Sequence, residues 1–193
     1  MTAPTPHRST DDSLHTVHRI TAQAAAADDG TLAHSLASGL AEVLCDCVAG
    51  GASVGFMADL TAAQARAFWQ GVLQGVARGE RALLVAQTAD GRIDGTVQLV
   101  LAQPPNQPHR ADVAKMLVHR RARRAGLGQR LLDALDAQAR AEGKTVLVLD
   151  TVTGGDAERL YQRAGWTPAG VVPRYALFPD GTFCGTTFFY KHL

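Results

Sequence analysis

Residues 113–139 read VAKMLVHRRARRAGLGQRLLDALDAQA, and this stretch constrains the fold more than any other. It begins with an apolar run, Val113–Val118, short enough for a buried strand. A basic loop containing glycines follows from His119 to Gly128. Beyond it, Leu131, Leu132, Leu135 and Ala139 share one face at helical spacing. A strand feeding a glycine-punctuated turn and a helix N-terminus suits a phosphate group. The first amides of the helix lack intrahelical partners, and the macrodipole adds partial positive charge there. Gly126 and Gly128 let backbone approach a ligand closely, and Arg120, Arg121, Arg123 and Arg124 add long-range attraction. The stretch reads as a diphosphate cradle; the plainer reading is a basic helix start that solvates a surface.

The spacing separates the candidate ligands. A dinucleotide fingerprint, G-x-G-x-x-G, would need glycine where Leu131 stands, and no Walker Gly-Lys-Ser/Thr is present. The loop does fit R-x-x-G-x-G through Arg123, Gly126 and Gly128, and so resembles the acetyl-CoA signature of the GNAT N-acetyltransferase family.

A chain of 193 residues suggests one domain with a sizeable core. Its net charge of +1 argues against a dedicated nucleic-acid binder, because most of the local excess lies in the 120–124 loop. Cys45, Cys47 and Cys184 cannot close a disulfide framework, and without C-x-x-C or H-x-x-x-H spacing a zinc site is not expected. No apolar run approaches membrane-spanning length and residues 1–13 lack an apolar signal region, so a cytoplasmic protein is expected.

Along the chain, residues 1–13 read as a disordered leader and 14–193 as one domain. Leu14–Ile20 alternates as a first strand, and Thr31–Val48 carries a helical pattern ended by Gly50-Gly51. The apolar segment from Gly51 to Ala58 is expected to fold inward, lining a pocket or plugging the core. Thr61 and Gln64 form a capping box for a helix ending near Gly79, with Phe68 and Trp69 on its core side. Strands follow at Ala82–Gln87 and Thr96–Ala102 about Asp90-Gly91, then at Asp112–Val118. The next helix runs to about Glu142, and Val146–Asp150 is a strand. A short helix carries Leu160 and Tyr161, and a hairpin joins Val171–Phe178 to Phe183–Lys191. The order β-α-α-β-β-β-α-β-α-β-β predicts an α+β domain with one mixed sheet and helices on both faces.

That order is similar to the GNAT fold from about residue 17 onward. GGASVGFMADL at Gly50–Leu60, RADVAKMLV at Arg110–Val118, RARRAGLGQ at Arg121–Gln129, LDT at Leu149–Thr151 and PDG at Pro179–Gly181 resemble a toxin-detoxifying branch of the family. Asp112 stands where that branch carries glutamate, which keeps the charge but shortens its reach. The resemblance implies that acetyl-CoA pantetheine runs along Met116, Leu117 and Val118. It implies further that the pyrophosphate meets amides of Arg123, Arg124, Ala125, Gly126, Leu127, Gly128 and Gln129. The implied partners are acetyl-CoA and a small amine, with no nucleic acid, membrane or metal; monomer and homodimer both stay open.

Amine acetylation by a thioester needs a held carbonyl, a base for the ammonium and an acid for the departing thiolate. Asp150 ends the strand VLVLD at a ligand-binding sheet edge, although a helix cap or loop anchor would explain it too. Asp112 has Arg110 beside it, so a surface ion pair is its plainer role. The resemblance implies that both aspartates bind and deprotonate the amine, and that Tyr161 donates to the CoA sulfur. A core tyrosine would occupy the same apolar helix face. Three functions remain from sequence: an acetyltransferase of an amino-acid-like antimetabolite, one acting on a polyamine, amino acid or protein amine, and a non-catalytic acyl-CoA-binding module.

Overall fold

The computed structural model describes residues 14–26 and 32–193, so the leader at 1–13 and the helix start at Thr31 lie outside it. In chain order the elements are β1 (His15–Arg19), α1 (Ala22–Ala26), α2 (Leu32–Ala49), α3 (Ala62–Ala77), β2 (Arg81–Thr88), β3 (Ile93–Val100) and β4 (Arg110–Val118). They continue with α4 (Leu127–Ala141), β5 (Val146–Val152), α5 (Asp156–Arg163), β6 (Thr167–Leu177) and β7 (Phe183–His192). The seven strands form one sheet in the order β1-β2-β3-β4-β5-β7-β6. Of the neighbouring pairs, β4 and β5 are parallel and the others antiparallel.

Two apolar layers clamp the sheet. On one face Leu83, Val85, Ile93 and Leu117 meet α2 and α3 through Leu40, Leu44, Trp69 and Val72. On the other, Leu84, Val97, Leu99, Leu147 and Phe189 meet α4 and α5 through Leu131, Leu135 and Tyr161. The alternation of the strands thus supplies both cores at once. By length and composition α2 could cross a membrane, which qualifies the expectation that no apolar run reaches that length. In this fold its apolar residues Leu36, Leu40, Val43, Leu44 and Cys47 are buried in the core, and Asp46 reaches across to Arg120.

The capping box forms as expected: the Gln64 amide donates to Thr61 Oγ1 at 3.2 Å and Thr61 N–H donates to Gln64 Oε1 at 2.9 Å. β4 and β5 are each two residues longer than the sequence reading, and three further elements differ more. α1 was not expected, because its alanines carry no periodicity; Thr21 Oγ1 caps it by accepting from the Ala24 amide at 3.1 Å. β3 starts at Ile93 rather than Thr96, since a charged residue, Asp94, is built into it. β6 starts at Thr167 rather than Val171, and its prolines are tolerated because it is an edge strand.

Asp94 is 1% exposed, a burial that calls for compensation. It accepts from His15 Nε2 at 2.8 Å, Arg121 Nε at 2.6 Å and Arg92 Nε at 3.2 Å. Burial alone would raise its pKa; the hydrogen bonds from His15, Arg121 and Arg92 overcome this and hold it at about 2. A depressed folded-state pKa gives a contribution present in full above the ordinary 3.8 and lost as pH falls toward about 2. Asp94→Asn is therefore expected to cost about 2 kcal/mol at neutral pH. The cost should shrink between about pH 4 and pH 2, read as converging thermal midpoints. Midpoints that stay parallel through that range would remove Asp94 from the acid sensitivity.

Candidate active site

The site is built where two strands part. β4 and β5 pair only at Arg110–Val146, Ala111–Leu147 and Asp112–Val148, although β4 continues to Val118 and β5 to Val152. Beyond Asp112 the β5-facing edge of β4 therefore has no strand partner among the described residues, and a wedge opens between them. A bulge contributes: Thr96 faces Leu117 and Gln98 faces Ala114, so Lys115 and Met116 together oppose Val97. Lys115 takes the strain of that bulge at φ 50°. The extended edge at Met116, Leu117 and Val118 is the kind of surface to which an amide-bearing chain can add as a strand.

At the mouth of the wedge, Gly126 caps α4 at φ 79° with open space where a Cβ would stand. The amides of Arg124, Ala125, Gly126, Leu127, Gly128 and Gln129 have no backbone acceptor among the described residues; the first amide with one is Arg130, bonded to Gly126 O. The amides at 124–129 thus form an anion nest at a helix start. Arg123 is placed differently: its amide donates to Arg120 O at 3.3 Å, and its Nε donates to Val118 O at 2.9 Å. It ties the loop to β4. Gly128 also has a packing reason, because a Cβ there would lie 2.9 Å from Leu160 Cδ2 and 3.5 Å from Met116 Cε.

The four basic side chains are not equivalent, which corrects the expectation that all supply free attraction. Arg120 Nε donates to Asp46 Oδ1 at 2.8 Å, and Arg121 binds Asp94 and Glu42. Those two fasten the loop to α2 and β3 and hold the nest in position.

The side chains singled out from sequence flank the wedge. Asp150 lies on β5 opposite Phe188, on the sheet face away from the α4 core. Its carboxylate meets solvent, yet protein walls enclose enough of it that burial raises its pKa; Lys115 opposes that rise and Asp112 adds to it. Asp112 sits two residues away in register, opposite Val148, but is already engaged. Arg110 Nη1 donates to its Oδ1, and Gln103 Nε2 donates to its Oδ2 at 3.0 Å. The ion-pair reading of Asp112 is thus realised, beside its influence on Asp150.

Tyr161 is 5% exposed and packs edge-on to Trp166 at 5.8 Å and tilted to Phe189 at 6.2 Å. Its hydroxyl makes no hydrogen bond among the described residues, but its oxygen is not sealed from solvent. Burial, then the negative charge of Asp150, pushes its pKa far above the ordinary 10.0. Glu158 steadies this helix by accepting from Thr187 Oγ1 at 2.9 Å and from the Gly154 amide. Trp166 is buried, and Arg163 is exposed.

The segment 50–60 neither plugs the core nor folds fully inward. Ala52, Val54, Phe56 and Leu60 rest on the α2–α3 core, while Gly55 and Met57 face outward. It spans to the β6–β7 turn: Ser53 Oγ donates to Leu177 O at 2.6 Å and the Ala58 amide donates to Pro179 O at 3.1 Å. The segment stands as a wall between the α2–α3 core and the β6–β7 turn. Sequence reasoning missed Lys115, whose ammonium reaches the same wall beside Gly55; no periodicity marks a bulge. Among the described residues, no three His, Cys, Asp or Glu side chains gather to hold a metal. A cavity of about 550 Å³ lies apart from the wedge, between α2, the start of α3 and His119.

Residues 79–168 match the family model described as an acetyltransferase (GNAT) domain. The fold recurs in yncA from Salmonella typhimurium, solved with its cofactor acetyl-CoA, at TM-score 0.68 and 19% identity, covering 93% of this chain and 94% of that one. It recurs in the N-acetyltransferase from Staphylococcus aureus Mu50 at TM-score 0.71 and 17% identity, covering 92% and 98%. The ribosomal-protein-alanine N-acetyltransferase from Brucella melitensis gives TM-score 0.71 and 21% identity, covering 92% and 99%. At such identities the likeness establishes the fold.

Proposed function

We propose, from a chain whose residues 79–168 carry the GNAT acetyltransferase domain and whose sheet has the GNAT fold, that the protein transfers an acetyl group from acetyl-CoA to the primary amine of a small acceptor. The observation that carries this is the wedge itself. An unpaired strand edge and an amide nest line its donor side, and the Tyr161 phenol and Asp150 carboxylate flank its interior. These features fit acetyl-CoA: the β4 edge left without a strand partner suits the pantetheine amides, and the nest at 124–129 suits the diphosphate. Acetyl-CoA brings an already activated acyl group; what the chain must add is position and proton transfer.

In this reading Asp150 takes the proton of the acceptor ammonium, directly or through one water, and leaves a nucleophilic amine. Asp112 tunes Asp150 while held by Arg110 and Gln103. Tyr161, which burial keeps protonated at neutral pH, gives its proton to the sulfur as the carbon–sulfur bond breaks and takes one back from the acylated nitrogen, which must shed a proton to become an amide. The acceptor we infer is an amino-acid-like toxin or antimetabolite. The segments at Gly50–Leu60, Arg110–Val118 and Pro179–Gly181 resemble the tabtoxin-resistance acetyltransferase, which acts on tabtoxinine-β-lactam, and the first of these walls the acceptor side.

Acetyl-CoA-dependent thiol release, measured with tabtoxinine-β-lactam and a panel of amino acids, polyamines and peptides, tests this reading. Release with the toxin supports the full proposal, release with another amine replaces the acceptor, and no release with any amine overturns acetyl transfer. The nest has its own test. Gly126→Val forces a branched side chain to φ 79° and points it into the space over the amides. It is expected to weaken acetyl-CoA binding about tenfold or more in calorimetry. An unchanged dissociation constant would move the diphosphate elsewhere.

A further inference from the structure

The acceptor side of the wedge holds a cation that the reaction described so far does not use. Lys115 projects from the bulge of β4 toward the 50–60 wall, where a Cβ on Gly55 would lie 3.7 Å from its Nζ. The ammonium also stands 5.6 Å from the centre of the Phe68 ring. Asp150 attracts it across the wedge, yet among the described residues Nζ makes no hydrogen bond and no ion pair. Burial lowers the pKa of this lysine, Asp150 opposes the shift, and Arg81 adds to it. Arg81 itself donates to Gln98 Oε1 at 3.0 Å, so its guanidinium has a partner that the ammonium lacks.

A half-buried ammonium without an acceptor is an incomplete contact. Had the fold needed only to neutralise Lys115, a direct pair with Asp150 would do so. Instead the two opposite charges face each other with a gap between them. We infer that Lys115 binds the carboxylate of the acceptor while Asp150 receives its ammonium, so that the acceptor class is α-amino acids and their close analogues. This rests on the acetyltransferase reading above and adds the requirement for a free carboxylate. Phe188, opposite Asp150 and 5.4 Å from Tyr175, and Phe56 on the wall offer apolar surface for the rest of such a molecule. A competing role for the same ammonium, polarising the thioester carbonyl, would act on every acceptor alike.

The two roles separate kinetically. The best α-amino acid of the panel is compared with its own decarboxylated amine and its methyl ester, on wild type, Lys115→Met and Lys115→Arg. Wild type is expected to favour the acid about tenfold or more in kcat/KM. Lys115→Met should erase that preference through KM, and Lys115→Arg should restore part of it. Because the readout is a ratio on one preparation, partial misfolding does not mimic it. Equal use of acid and amine by wild type, or a preference for the acid that Lys115→Met leaves intact, overturns the carboxylate assignment and leaves acetyl transfer standing. If no acceptor is acetylated, calorimetry of the same amino acids on the CoA-loaded protein decides. Binding lost in Lys115→Met keeps the carboxylate subsite and sinks acetyl transfer; no binding sinks both.

Discussion

Replacing Asp150 with asparagine is expected to lower kcat/KM for the acceptor by about 10²- to 10³-fold, with acetyl-CoA affinity unchanged. The size follows from the role: an ammonium is not a nucleophile, and the amide cannot take its proton. The position is specific as well. Asp150 faces the wedge from β5, whereas Asp112 is held by Arg110 and Gln103. The pH profile carries the sharper test. Burial and Asp112 raise the pKa of Asp150 above the ordinary 3.8, and Lys115 holds it back. A base works only when ionised, so wild-type kcat/KM is expected to rise with pH along an acid limb set by that raised value. Asp112→Asn removes a repelling charge and should move the limb to lower pH. Lys115→Met removes an attracting one and should move it higher. An acid limb unmoved by either substitution would take the proton from Asp150 and give it to another group.

How far the sequence led can be judged from particular residues. The nest at 124–129 was legible because glycines and a helix start act locally, within one turn of chain. The two core layers were legible for a similar reason, since strand and helix periods are short-range patterns. What escaped depends on long-range pairing. Arg120 and Arg121 looked like free cations until folding set Asp46 and Glu42, from α2, against them. Asp94 hid the start of β3 because a carboxylate argues against burial unless its partners are known, and those come from β1, the β2–β3 turn and the basic loop. The bulge that aims Lys115 leaves no mark in the sequence. It arises only when β4 is laid against β3 and two residues meet one. The same kind of long-range contact turned the 50–60 segment into a wall, through hydrogen bonds to Leu177 and Pro179.

Tyr161→Phe is expected to lower kcat by about 10²-fold without changing acetyl-CoA affinity or thermal stability. Stability should hold because the packing against Trp166 and Phe189 belongs to the ring, and the hydroxyl has no hydrogen bond among the described residues to lose. A tyrosine kept for the core alone would give the same stability with undiminished turnover, so kcat separates the roles. The electrostatics set how the proton could move. Burial and the nearby Asp150 charge hold the phenol pKa above the ordinary 10.0, so Tyr161 carries its proton at neutral pH but is a weak acid, and in the proposed mechanism it donates to sulfur as negative charge develops there rather than to a free thiolate. The deficit should therefore depend on the leaving group. Acetyl thioesters of more acidic thiols need less protonation as the carbon–sulfur bond breaks, and with them the gap between Tyr161→Phe and wild type should narrow. A gap that stays constant across donors of different thiol acidity would mean that the hydroxyl orients the acyl group rather than protonating the sulfur.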